Sequence, residues 1–310
     1  MNLDESIAMK YLLLYGTFFC AVLFFLFPID AKTQENSAPT ITSMTLSESS
    51  GGAALSSINL IDGSTKHVYV HGSITDADSC EQINDVSGTS TWSVVFFRTD
   101  VANAQLCTPD NRDCYQLTEN NTNLSHCDGP GDTSLDFEMD IPIAYYADAT
   151  DVSSSPDHAT TDWTVFVEVI DDNEASTSST ITTELNTLKA LNADAMINYG
   201  VLDLDTASTE QTVTLTNTGN NDSLIPLISD TLGWTCTVGT MGPERVHYNA
   251  SQALGWENGT AVTATPTQMI GVSLLKSSGT PAQAPVYFTL RLPEGGLGGD
   301  CSSTLVMGAG

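Results

Sequence analysis

Residues 11–27 carry no charge, Lys10 precedes them, and Pro28, Ile29, Asp30 and Ala31 follow. A basic residue, an apolar core, a breaker and a small residue at the cut are the order of a secretory signal. The order predicts a signal peptide over residues 1–31 and a chain that folds outside the reducing cytosol. Asp4 and Glu5 make the extreme N-terminus acidic, so Met9 is a better start for such a signal. The competing reading is an anchor that is kept uncleaved. A helix over the apolar run spans about 25 Å, just short of a hydrocarbon core of about 30 Å, which favours cleavage.

Export sets the reading of the cysteines. Cys20 lies in the signal, and Cys80, Cys107, Cys114, Cys127, Cys236 and Cys301 remain. An even set in an oxidising compartment reads as disulfides, and the absence of a CxxC pair weakens a zinc reading. Four cysteines in the first half allow three pairings. Cys107 and Cys114 enclose one hairpin-like loop, and the short run 115–117 carries the chain back towards Cys80. The expected pairs are Cys107–Cys114, Cys80–Cys127 and, by elimination, Cys236–Cys301.

The rest of the chain reads as all-β. Val, Ile, Thr and aromatic residues are plentiful and long helical patterns are absent. Residues 135–141 alternate apolar with acidic: Leu135, Phe137, Met139 and Ile141 face in, Asp136, Glu138 and Asp140 face out. Residues 40–46, 67–74, 92–98, 163–170 and 179–188 are further strands, separated by turn signals near Asp76, Pro109, Gly129 and Asp171. This predicts a flexible lead-in over 32–38 and an Ig-like antiparallel β-sandwich over 39–188. A second, different Ig-like sandwich is expected over 189–310, with strands near 199–204, 211–217, 224–228, 234–238, 262–265, 270–275, 286–292 and 301–307.

The stretch from Ile197 to Leu204, followed by Gln211 to Asn220, resembles Ig-like domains of the abnormal-spindle/hydin type. Residues Gly72 to Asp76 and Trp163 to Val169 resemble cadherin- and PKD-like surface modules. These resemblances imply a sandwich fold and an extracellular or surface setting. They imply no catalytic residue.

The net charge is −29, from 38 acidic and 9 basic residues. Such a surface repels nucleic acid and anionic lipid. The acids are dispersed among Ser and Thr, which excludes a disordered acidic tail. In an Ig-like sandwich the second-to-third and sixth-to-seventh loops share a pole. Asp76, Asp78 and Asp85 fall near the first loop, and Asp171, Asp172, Asn173 and Glu174 in the second. Calcium takes six to eight oxygens, so Asp76, Asp78, Asp171, Asp172 and Glu174 are the candidate metal ligands. The plainer reading is that an acidic protein places acids in its loops.

His67 and His71 share a strand face but lie about 13 Å apart, too far to share an ion. His126, His158 and His247 are isolated, with no Gly-x-Ser-x-Gly setting for a serine hydrolase. Trp92 and Trp163 read as core, whereas Trp256 sits in an apparent loop, where a sugar would stack. Asn120, Asn123, Asn221, Asn249 and Asn258 are Asn-x-Ser/Thr sites, expected at the surface if glycosylated.

The sequence therefore predicts a non-catalytic, secreted or cell-surface structural or adhesion protein, with no cofactor beyond calcium. The alternative is a secreted carbohydrate- or ligand-binding module. Expected partners are surface proteins, glycans or further copies of the chain. Nucleic acid is excluded, and membrane contact is confined to an uncleaved N-terminal segment. The uncharged last strand, 301–307, is the candidate edge for self-assembly, to which the lead-in 32–38 or the strand after it could add from a neighbour; the plainer reading is a strand already paired on both sides or twisted out of reach.

Overall fold

The computed structural model describes residues 36–84, 90–117, 122–153, 158–193 and 196–310. The signal peptide, most of the lead-in, Asp85 and Asn120 lie outside the described residues. Strand makes up 45% of the described residues and helix 5%, so the fold is all-β. Residues Ser37–Gly310 form one compact unit. Among the described residues, no helix is long and apolar enough to cross a membrane.

The first half contains β1 (Thr40–Ser47), β2 (Ser57–Ile58), β3 (Lys66–Thr75), β4 (Thr91–Arg98), β5 (Cys114–Leu117), β6 (Thr122–Ser125), β7 (Ser134–Ile143), β8 (Trp163–Ile170) and β9 (Ser176–Leu185). They form two sheets, ordered β1-β3-β7-β6 and β2-β9-β8-β4-β5. All pairs are antiparallel except β2 with β9. The period-two pattern decides what lies between the sheets. Val68, Val70 and Ile74 of β3 and Leu135, Phe137, Met139, Ile141 and Ile143 of β7 are buried, facing Trp163, Phe96 and Val165 from the other sheet. Phe96 stacks on Trp163 at 4.6 Å between ring centroids, and the Trp163 indole N–H donates to the Asp148 carbonyl at 2.8 Å. The largest core side chain thus has its one polar atom satisfied.

Gly72 is required by packing. A Cβ there would stand 2.0 Å from the Ser43 carbonyl oxygen, where the β1–β3 register shifts between Ile41 and Ser43. Three disulfides brace the chain: Cys80–Cys127, Cys107–Cys114 and Cys236–Cys301. They are the same pairs that the sequence suggests.

The second half contains β10 (Leu191–Ala193), β11 (Gln211–Asn217), β12 (Ser223–Leu224), β13 (Pro226–Ser229), β14 (Trp234–Val238), β15 (Thr240–Met241), β16 (Val246–Asn249), β17 (Thr260–Ala261), β18 (Thr267–Gln268), β19 (Leu274–Leu275), β20 (Ala282–Leu290), β21 (Gly298–Ser302) and β22 (Val306–Ala309). A five-stranded sheet, β10-β11-β20-β16-β17, carries Val213, Leu215, Val246, Tyr248, Val286 and Phe288 into a second core. Smaller sheets β18-β13-β22, β15-β14-β21 and β12-β19 complete it.

Several expected strands differ. Residues 199–204 form no strand; Tyr199 instead packs its ring 5.9 Å from Trp234. The expected strand 224–228 divides at Ile225, and 262–265 is irregular beyond β17. The last strand, 301–307, divides into β21 and β22, which join different sheets, on β14 and β13. Short strands with weak alternation give little signal for where one sheet hands over to the next.

Candidate functional site

At one pole of the first half, β3 leads into Asp76 and β8 into Asp171, each 1% exposed. Both are turn-formers. One Asp76 oxygen accepts from the Asp78 N–H at 2.9 Å, and Asp171 accepts from Asn173 and Ala175 at 2.8 and 2.9 Å. The other Asp76 oxygen, Oδ2, is buried without a hydrogen-bond partner. Burial pushes the Asp76 carboxyl above its ordinary value, and the nearby Asp171 charge adds to the rise. Gln82 approaches the same turn, where its carbonyl accepts from the Asp172 N–H at 3.1 Å.

Asp78 accepts from the Ser37 N–H at 2.6 Å, while Asp172 and Glu174 are exposed. Among the described residues, no three His, Cys, Asp or Glu side chains gather as a metal cage.

A polar face that the sequence did not single out lies on the outside of the β1-β3-β7-β6 sheet. The register sets His71 opposite Glu138 and Ser73 opposite Asp136. With Ser43, Thr45, Asn123 and Ser125 these line a groove of about 430 Å³. Ser73 donates to Asp136 at 2.5 Å, and His126 meets the other Asp136 oxygen at 2.7 Å. His67 pairs with Asp140 at 2.8 Å. The Ser73 hydroxyl, with His126, holds the Asp136 carboxyl below its ordinary value against a smaller effect of burial. In a hydrolase triad the imidazole stands between hydroxyl and carboxylate and takes the proton. Here the carboxylate stands between, and a carboxyl held ionised is a poor base.

A dense polar cluster joins the two halves of the chain. Asp148 is fully buried and pairs with Arg98, Arg112 and Lys276, with His158 at 3.8 Å. Arg98 and Arg112 come from the first sandwich; Lys276 follows β19 in the second and also meets Asp222 at 2.9 Å. Burial alone would raise the Asp148 carboxyl. Lys276, Arg98 and Arg112 together outweigh it and hold the group below its ordinary value. Beside it, Asn220 accepts from the Leu188 N–H at 2.6 Å and donates to the Ala147 and Asn186 carbonyls at 3.0 and 3.2 Å. The Gly63 N–H donates to the Thr218 carbonyl at 2.9 Å. Sequence reading missed this joint because its members are scattered and each is an ordinary charged residue.

Trp256 is not a free platform. It stacks on His247 at 4.1 Å, lies 5.2 Å from the Arg291 guanidinium, and donates its N–H to the Arg245 carbonyl. Among the Asn-x-Ser/Thr sites, Asn123 and Asn258 are exposed and Asn221 is half-buried. Asn249 corrects the surface expectation: it is 5% exposed and its amide donates to the Gly255 carbonyl.

No protein-family model matches the chain, and no curated protein matches it. Among solved structures, dimeric latent PorU from Porphyromonas gingivalis is 14% identical with a TM-score of 0.29, over 91% of this chain and 20% of that chain. The chain thus spans 20% of the PorU length. The CupB6 tip adhesin from Pseudomonas aeruginosa is 10% identical with a TM-score of 0.26, over 85% of this chain and 93% of that one. A structure of carbohydrate-binding modules of the β-sandwich superfamily is 12% identical with a TM-score of 0.24, over 89% and 98% of the two chains. At TM-scores this low the likenesses carry no argument.

Proposed function

We propose that this chain is an exported, non-catalytic structural component of a cell surface, built as two β-sandwiches held at a fixed angle. The observation that carries the proposal is the Asp148 joint. Three cations from a chain with few of them close on one buried carboxylate, two from one sandwich and one from the other. A joint of that kind suits a part that holds its shape between neighbours. The three disulfides suit an oxidising, extracellular setting. Immunogold labelling and surface proteolysis of the producing cell test the proposal. Label on the exterior, and loss of a surface layer or of adhesion when the gene is removed, are expected. Protein found free in the medium, with no surface label, would overturn it.

The second reading is a secreted glycan- or ligand-binding module. The hydroxyl-lined groove beside Glu138 and His71 favours it. Glycan-array binding that disappears in Glu138→Gln would support this reading over the first. In either reading, calcium at the Asp76–Asp171 pair is part of the proposal, supported by the orphaned Asp76 oxygen.

A further inference from the structure

β9 pairs with β8 from Ser176 opposite Ile170 to Thr183 opposite Trp163, without a break in register. On its other side β2 covers only Glu184 and Leu185. Among the described residues, positions 176–183 therefore have a hydrogen-bonded sheet partner on one side only, with β1 of the facing sheet packed close to β9. The other sheet edges are guarded in the usual ways. β1 carries a register shift between Ile41 and Ser43. β5 and β6 are 4 residues long, β10 is 3 and β17 is 2. β21 and β22, where the sequence suggested assembly, are 5 and 4 residues long. β9 has 10 residues, and positions 176–183 hold Ser, Thr and one Ile, with no charge and no proline.

We propose that a second copy of this chain docks on this edge, β9 against β9, across a two-fold axis normal to the sheet. The proposal deepens the structural reading by naming the partner. Symmetry selects the occupant. In an antiparallel pair of identical strands each side chain meets itself or a near neighbour, so any charge would meet its own like. A chain of net charge −29 can self-pair only where its acids are missing. β9 is such a stretch, with Asp171, Asp172 and Glu174 just before it and Glu184 just after. Centred on Thr180, the pairing sets Thr177 against Thr183, Ser178 against Thr182 and Ser179 against Ile181 of the second copy. Hydroxyls then face hydroxyls everywhere except at the Ser179–Ile181 pair, and the β8–β9 ladder continues from one molecule into the next.

Sedimentation equilibrium on protein purified after export by its own N-terminal segment tests the inference. A monomer–dimer equilibrium is expected, tightening as salt screens the net negative charge. Thr180→Lys and Thr180→Asp, each at an exposed position, should each weaken the dimer more than about tenfold. An equal mixture of the two should restore it, because opposite charges then meet across the axis. Circular dichroism and melting temperature check that each variant folds, and Ser178→Lys replaces a variant that does not. A wild-type monomer at high concentration and high salt overturns the proposal. So does a Thr180→Lys dimer of unchanged affinity, or a mixture that stays monomeric. A monomer that still labels the cell exterior would remove this inference and leave the surface role standing.

Discussion

Removing Lys276 should loosen the two sandwiches from each other. Asp148 is fully buried and the Lys276 side chain is 7% exposed, so solvent screens their pairing little. Breaking a buried pair by deleting one partner costs about 3–5 kcal/mol when the other charge is left alone. Asp148 would not be alone in Lys276→Met, because Arg98 and Arg112 remain on it. The expected loss is therefore smaller, about 1–3 kcal/mol. Asp148→Asn leaves Arg98, Arg112 and Lys276 facing a neutral amide and should cost more, about 3–5 kcal/mol. For a chain of this length each kcal/mol moves the melting temperature by about 2–4 °C. Calorimetry on both single variants and the double variant checks this. A coupling of about 0.5–3 kcal/mol between the two substitutions is expected. Small-angle scattering should show the pair distribution broadening in Lys276→Met. Additive effects with an unchanged scattering profile would refute the joint.

Three further outcomes are expected. Asp148 has its carboxyl held low in the fold, so its contribution is present above the ordinary carboxylate value and lost as pH falls below that value; urea midpoints for the wild type and Asp148→Asn should converge there. Replacing Cys236 and Cys301 opens a loop with a sequence separation of 65, and in the chain-entropy model the cost is about 4 kcal/mol, read by chemical unfolding. If the host glycosylates exported proteins, peptide mass spectrometry should find glycan on Asn123 or Asn258 and none on Asn249, whose amide is buried and bonded.

Legibility in the sequence followed burial on alternate residues. β7 and β8 were readable because each inward position is apolar and each flank is a turn, and their strand limits match closely. The second half was less readable. Its strands β12, β15, β17, β18 and β19 have 2 residues each, too short for any period to register. Turn chemistry located the acidic pole. Asp76 and Asp171 are there to close turns, and their neighbours Asp172 and Glu174 are left in solvent. The Asp148 joint was not readable at all. Its residues come from separate loops and strand ends: folding of the first half brings Arg98 and Arg112 to Asp148, and only packing against the second half adds Lys276.

Asp76 gives the sharpest contrast with Asp148, and its behaviour decides the calcium proposal. Its carboxyl is raised in the fold, mainly by burial. A raised acid binds its proton more tightly in the fold than in the unfolded chain. Its contribution therefore favours the fold at low pH and is lost as pH rises from the ordinary carboxylate value through the raised one. An ionised Asp76, buried beside Asp171 with one oxygen unpaired and no cation, opposes folding. Asp76→Asn removes that charge, so in chelator the variant should melt higher than the wild type. Calcium reverses the order if it is held there. The wild type would gain about 2.7 kcal/mol at a hundred times the dissociation constant, and Asp76→Asn would gain little. Melting curves in chelator and in millimolar calcium show whether the two lines cross. A wild type that does not respond to calcium leaves Asp76 as a turn residue that is protonated or strained, and removes calcium from the reading.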